Sequence, residues 1–567
     1  MAWLTQLFPE ILLALTACVL ISTGVIKRGS AFSGSGITTF AASLAVLMTL
    51  VALGISIQQL IALDPISRGV FVADPYNAVQ FTPLALFLRP VALAVGLLIL
   101  LLSWPSRATG NASVHFDRES GEYYALILLS LCGLLLSFSA NDLILLFLAI
   151  ELASIPTYVL VAISRPFGKA QEAAIKYFFL GAVSAAILLM GFAYLYGLTG
   201  TTRLDEIATQ MLTRTELGSL GAPVLNTWFI FAIVMVLLGL AFKLAAFPFQ
   251  SYAADVYEGA ATPVTALIGF VPKVVGIAAL LKIIWAVSGT TYDLPDSLDR
   301  LLVAIAIITM TFGNVMGLVQ MHSAKRALAY SSVAHSGYLI AGVALLSSTK
   351  SAENIAGVGI AGVDLSAGSA VLFYLAVYGL MSTAAFGALT LIPSRSPLLL
   401  NGKPTTAPAT TAESYDDLTG AGRRDPVIGL CLALACLGLI GIPLTAGFVG
   451  KYLLLVPAFS STASTLSLIL GVALLVNSAI GAAYYLRIIA ALFFRSGPVE
   501  YAGAPATPPL KSRPSGRPLP LVISVTVATV AVLILGVAAP MIDMLDLGTQ
   551  SIRIDAVPPV EVITLEK

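Results

Sequence analysis

Five ionisable residues lie inside long apolar runs: Glu151, Lys243, Lys273, His335 and Lys451. A lysine at the centre of a membrane helix costs about 2.5–3.5 kcal/mol on insertion scales. Spans that carry such groups usually need them for ion or proton traffic. Glu151 stands in LLFLAIELASIPTYVL, five residues before Pro156. Lys243 and Lys273 belong to one stretch, GLAFKLAAFPFQSYAADVYEGAATPVTALIGFVPK. A proline follows Lys243 by five residues, at Pro248. Proline removes a backbone hydrogen bond, and a broken helix at membrane depth is tolerated where it is buried or lines a wet cavity. Burial disfavours the ammonium ion and a nearby carboxylate favours it. Moving Glu151 or its proton would therefore switch Lys243 between holding and releasing a proton.

Lys451 repeats this combination in GLIGIPLTAGFVGKY, amid Gly438, Gly441, Pro443, Gly447 and Gly450. Lys273 reads as a relay from Lys243 toward the protein centre, against a structural lysine bonded to backbone carbonyls. His335, in ALAYSSVAHSGYLI, titrates near neutral pH; a relay and a packed, hydrogen-bonded histidine are both open readings. Lys176 is one turn into its span, either a snorkelling anchor or a modulator of Glu151. Lys282 and Arg487 lie nearer span ends, where snorkelling is expected, and His322 with Lys325 and Arg326 marks a loop edge.

The elements that must position these groups are membrane helices. The chain has 567 residues, 58% hydrophobic and 10% charged, with mean hydropathy +0.95. Soluble domains carry about 25% charged residues. The repeated apolar runs of about 20 residues indicate an all-α polytopic membrane protein. Fourteen spans are expected, at 8–26, 37–61, 82–104, 122–140, 141–162, 172–197, 226–249, 262–287, 298–320, 326–346, 367–391, 426–452, 466–494 and 517–541. Residues 1–121 form an N-terminal three-helix segment. Residues 122–287 (spans 4–8) and 298–494 (spans 9–13) form two five-helix repeats, each with an interrupted helix, and 517–567 is a C-terminal helix and tail. Five is odd, so consecutive repeats run in opposite directions across the bilayer.

With the N-terminus outside, inner loops hold 16 Lys and Arg and outer loops hold 7, which places both termini outside. The first span lacks a preceding Lys or Arg and carries Glu10, so it reads as a retained helix rather than a targeting signal. Net charge is +1, which gives no reason to expect nucleic acid. Cys18, Cys132, Cys431 and Cys436 sit in apolar runs without metal-ligand spacing, so no iron–sulfur cluster or flavin is expected in this chain. Gly357-Val-Gly359-Ile-Ala-Gly362 matches a dinucleotide pattern but follows no strand. Asn111-Ala-Ser113 fits a glycosylation pattern but falls on the expected inner side, and 394–425 reads as a flexible inner loop.

AFKLAAFPFQSYAADVYEGAATPVTALIGFVPK resembles the signature of the antiporter-like membrane subunits of respiratory complex I. Within that family, DVYEGAATPVTA, GIPLTAGFVGKY, EAAIKYFFLGAVSAAILL and AAYYLRIIAALFF resemble the N type, equivalent to mitochondrial subunit 2. Gln250-Ser-Tyr252 departs from the usual His-x-Trp. The resemblance implies a fourteen-helix fold with inverted repeats, and Glu151, Lys243, Lys273 and Lys451 as proton-path residues. It implies a proton-translocating subunit of NADH:quinone oxidoreductase. Its partners would be the other membrane-arm subunits, lipid and protons, with NADH and quinone met only through the complex. The membrane would be the bacterial plasma membrane or the mitochondrial inner membrane. The alternative is a subunit of a multi-subunit Na⁺/H⁺ antiporter.

Overall fold

The computed structural model describes residues 2–28, 35–62, 72–73, 76–105, 116–165, 168–216, 223–288, 295–348, 367–394, 399–400, 403–404, 411–459, 464–495 and 518–538. The N-terminal segment contains a short α1 (Ala2–Gln6), then α2 (Phe8–Arg28) and α3 (Ser35–Ile61). A two-residue hairpin, β1 (Val72–Ala73) with β2 (Gln80–Phe81), leads into α4 (Pro83–Leu102). The next stretch runs α5 (Phe116–Ser139), α6 (Leu143–Ile163), α7 (Gly168–Thr199) and a polar α8 (Leu204–Glu216). It closes with α9 (Pro223–Lys243), α10 (Tyr252–Gly259) and α11 (Thr262–Ser288). A similar order recurs in α12 (Asp296–Val319), α13 (Ala324–Ser348) and α14 (Ala367–Leu391). After α14 come the hairpin β3 (Leu399–Leu400) with β4 (Lys403–Pro404) and the single turns α15 (Tyr415–Leu418) and α16 (Ala421–Arg424). Then α17 (Pro426–Ile440), α18 (Ala446–Leu455) and α19 (Thr465–Phe493) complete the stretch, and α20 (Leu519–Val537) follows.

A helix stands at each of the fourteen expected segments, and among the described residues eleven helices are long and apolar enough to cross a membrane alone. One expected span, 426–452, is split into α17 and α18, while in 226–249 the helix α9 stops at Lys243 and α10 begins beyond the expected span, at Tyr252. The chain is therefore a multi-pass, all-helical membrane protein. Gly357–Gly362 and Asn111–Ser113 lie outside the described residues.

Close helix contact rests on small residues, because lipid supplies no hydrophobic drive between helices. A Cβ at Gly133 of α5 would lie 2.3 Å from the Ala153 nitrogen of α6. In the second stretch a Cβ at Gly313 of α12 would lie 2.5 Å from the Ala334 nitrogen of α13. Both helix pairs thus meet backbone to backbone. α11 and α13 are the most deeply enclosed spans, with their most apolar windows wholly buried. They form the centre on which the ionisable groups converge.

One expectation is corrected. Part of 394–425 is an ordered strap rather than a flexible loop. Ser414 caps α15 in a capping box with Asp417, and Ala412 N–H bonds the Ile392 carbonyl. The Ser-x-x-Asp spacing carried this signal in the sequence.

Candidate proton path

α6 begins at Asp142, whose carboxylate accepts from the Ile144 and Leu145 N–H groups at 2.8 and 3.1 Å. Glu151, Ser154 and Tyr158 then fall at i, i+3 and i+7 and share one helix face. Lys243 ends α9 and meets that face. Its Nζ donates to Glu151 Oε1 at 2.8 Å, Ser154 Oγ at 3.0 Å and the Tyr158 hydroxyl at 3.3 Å. Three N–H donors meet three oxygens. Lys243 is 2% exposed, and the Glu151 side chain is 15% exposed. The sequence placed Lys243 in mid-span, but α9 stops there. Ala245 adopts φ 52°, and the Ala245 and Ala246 N–H groups turn back to the Phe242 and Ala241 carbonyls. The chain resumes as α10.

Lys273 lies in the wholly buried α11. One helical turn beyond it, a Cβ at Gly276 would lie 2.7 Å from Leu244 Cδ2 and 3.5 Å from Lys243 Cβ. This close approach brings the face of α11 carrying Lys273 against the end of α9. Lys273 Nζ donates to Ser336 Oγ at 2.5 Å and to the Ser332 carbonyl. The Tyr378 ring lies 5.4 Å away. Ser332 Oγ in turn bonds the Tyr257 hydroxyl at 2.7 Å and the Tyr378 hydroxyl at 2.9 Å.

His335 stands one position before Ser336, on α13. Its Nδ1 is 2.6 Å from the Tyr374 hydroxyl and its Nε2 is 3.1 Å from the Tyr485 hydroxyl. Tyr485 also bonds Ser331. Both ring nitrogens are thus held by groups that can donate or accept, so a neutral imidazole can stand in either tautomer.

Lys451 sits after its helix break, in α18, whereas Lys243 sits before its own. Its side chain reaches back across the break. Nζ donates to the Leu439 and Ile440 carbonyls and to Ser478 Oγ, each at 2.9 Å. Its ammonium also lies 4.9 Å from the Tyr338 ring centroid. Gly441 ends α17 with φ 87°, a conformation that favours glycine. A Cβ there would lie 3.0 Å from Lys451 Cδ.

Among the described residues, only Lys243 of the three lysines has an acidic partner; Lys273 and Lys451 are held by neutral oxygens.

The other sequence candidates fall elsewhere. Lys176 pairs with Glu172 at 2.8 Å and Asp255 at 2.9 Å rather than approaching Glu151. These groups line an open cavity of about 260 Å³ with Lys169, Glu258 and Arg326, on the expected inner side. Lys282 donates to the Ala140 carbonyl at 2.5 Å, and Arg487 donates to the Leu318 and Gln320 carbonyls at 3.1 and 3.0 Å. Both tie off backbone at helix ends. Sequence reasoning missed Tyr257, Ser332, Tyr374, Tyr378 and Tyr485, because hydroxyls in apolar runs look like packing. It also missed the buried ion pair of Arg89 with Glu10, 0% and 3% exposed. An arginine in an otherwise apolar span was the available signal.

Residues 140–476 match the family model of the NADH:quinone oxidoreductase/Mrp antiporter transmembrane region. The chain is 33% identical to the protein named NADH-quinone oxidoreductase subunit N 1 of Solibacter usitatus, over 89% of this chain and 90% of that one. It is 32% identical to NADH-quinone oxidoreductase subunit N of Mycobacterium tuberculosis, over 96% and 92%. A chain in the structure of respiratory complex I from Thermus thermophilus with bound aureothin superposes with TM-score 0.65 and 28% identity, covering 93% of this chain and 97% of that one. A chain of the Mrp complex from Dietzia shares the fold, with TM-score 0.71 at 21% identity, covering 96% and 97%. On this evidence of fold, sequence and buried charge, the chain belongs to the antiporter-like membrane subunits of the NADH:quinone oxidoreductase/Mrp antiporter family.

Proposed function

We propose that this chain is the N-type proton-translocating subunit in the membrane arm of an NADH:quinone oxidoreductase. The observation that carries the reading is Lys243, enclosed at a helix break and bonded to Glu151 at 2.8 Å. The names of the relatives select the N type over other members of the family. A proton arrives from the inner side and resides on Lys243. It passes to Lys273, crosses the Ser332, Ser336 and His335 region to Lys451, and leaves on the outer side. Separation of Glu151 from Lys243 gates the first step, since the ammonium loses the charge that favours it. The other membrane-arm subunits are the partners, and redox chemistry takes place elsewhere in the complex. The chain itself holds no flavin, iron–sulfur cluster, NADH or quinone headgroup. Both termini lie on the outer side of a bacterial plasma membrane or mitochondrial inner membrane.

The test uses membrane vesicles containing the assembled complex. NADH addition is expected to acidify the vesicle lumen in step with quinone reduction. Proton movement that ignores NADH and instead follows an imposed Na⁺ gradient would replace this reading with a Na⁺/H⁺ antiporter subunit.

A further inference from the structure

The strap between α14 and α17 places one carboxylate, Glu413, where the α5–α11 stretch meets the α12–α19 stretch. Glu413 Oε1 accepts from Lys325 at 3.1 Å and also from Arg165. Arg165 follows α6 in the first stretch, and Lys325 begins α13 in the second. Lys325 is fully buried, yet Glu413 is 28% exposed. Lys325 Nζ donates also to the Ala260 carbonyl at 2.6 Å, and its backbone N–H bonds the Glu413 carbonyl at 3.2 Å.

Ala260 lies in the joint between α10 and α11. Two further bonds hold this joint. Ala261 N–H donates to Ser164 Oγ at 3.1 Å, and the Thr262 hydroxyl meets the Thr411 hydroxyl of the strap at 2.9 Å. Next along α13, Arg326 bonds Glu258 at 2.6 Å and Asp255 at 3.2 Å, both on α10. The joint is flanked by the break that follows Lys243 and by the helix that carries Lys273. α13 itself supplies Ser332 and Ser336 to Lys273, and His335 beyond. One rigid helix therefore grips the joint at its start and receives the lysine at its middle.

We infer that Glu413 is a positioning residue for proton transfer between Lys243 and Lys273: it holds Arg165 and Lys325 on one oxygen and so fixes the α10–α11 joint against α13. Without its charge, two cations face each other at a buried site, and Lys325 loses the only acidic partner among the described residues. The joint then shifts relative to α13, and the donor–acceptor geometry at Lys273 shifts with it. The inference rests on the proton-path reading above.

The experiment measures protons moved per quinone reduced in vesicles, normalised to assembled complex. Glu413→Gln is expected to drop this ratio to less than half of wild type, and Glu413→Asp to restore most of it. The charge-balanced Glu413→Gln/Lys325→Gln variant removes the uncompensated lysine and is expected to assemble with the same lowered ratio. A wild-type ratio in either glutamine variant overturns the inference, as does failure of both to assemble, which would make Glu413 a folding residue. Lys243→Ala in the same membranes separates the two ideas. If it pumps normally, the proton path itself is wrong. If it is silent while Glu413→Gln pumps normally, only the positioning role falls.

Discussion

Replacing Glu151 by glutamine removes one charge and leaves the side chain's shape nearly intact. The carboxylate lies 2.8 Å from Lys243 Nζ. At an effective dielectric of about 20, two unit charges that close interact by roughly 6 kcal/mol. The glutamine oxygen still accepts a hydrogen bond, so the loss is smaller than this figure. If only about 2 kcal/mol of it is lost, the equilibrium constant for proton binding at Lys243 changes about thirtyfold. Ser154 and Tyr158 keep their bonds to Lys243 and cannot replace a charge. Glu151→Gln should therefore assemble yet pump at less than about a tenth of the wild-type rate, while Glu151→Asp should pump at an intermediate rate. The assay is quench of an acridine dye by inverted vesicles energised with NADH, with complex content measured by immunoblot. Wild-type pumping by a fully assembled Glu151→Gln complex would refute the claim that this ion pair sets the occupancy of Lys243.

Lys273→Arg keeps a positive charge but cannot give up its proton in a protein; it should assemble and lose pumping, as read by the same dye quench. Gly133→Ala would place a Cβ 2.3 Å from the Ala153 nitrogen and 2.8 Å from the Ala149 oxygen. Parting α5 from α6 should cost about 1–3 kcal/mol and lower the amount of assembled complex on native gels. Glu413 is pushed up by burial, but Lys325 and Arg165 outweigh this and hold it down at about 2 against the ordinary 4.5. A carboxylate with a lowered folded value stabilises above its unfolded value and loses that contribution as pH falls through the folded one. Thermal melts of the complex should show this contribution in full above about pH 4.5 and losing ground toward pH 2, with Glu413→Gln removing that component of the acid sensitivity.

The membrane class and the five ionisable positions were legible in the sequence because charge inside apolar runs is rare and costly. The helix breaks were legible for the same kind of reason. Pro248 and Pro443 with nearby glycines interrupt otherwise continuous patterns. What the sequence left open was the partner of Lys176. Glu151 is expected beside Lys243 and stands there, but Lys176 reads as either an anchor or a modulator of Glu151, and nothing in its spacing says that Asp255, on a helix distant in sequence, takes it. Lys451 also looked equivalent to Lys243, yet the two stand on opposite sides of their breaks. The hydroxyl lining around Lys273 and His335 comes from α10, α13, α14 and α19, so no local pattern could announce it. The strap around Glu413 was masked by a composition rich in Pro, Thr and Ser, although the Ser414–Asp417 capping box was present in plain view.

The most direct test of the central claim is the number of protons moved per NADH oxidised by vesicles carrying Lys243→Ala. The account predicts an assembled complex with little or no proton movement and slowed quinone reduction, because the two are coupled. An assembled Lys243→Ala complex with both activities at the wild-type level would contradict it and leave Lys243 as a structural lysine bonded to α6.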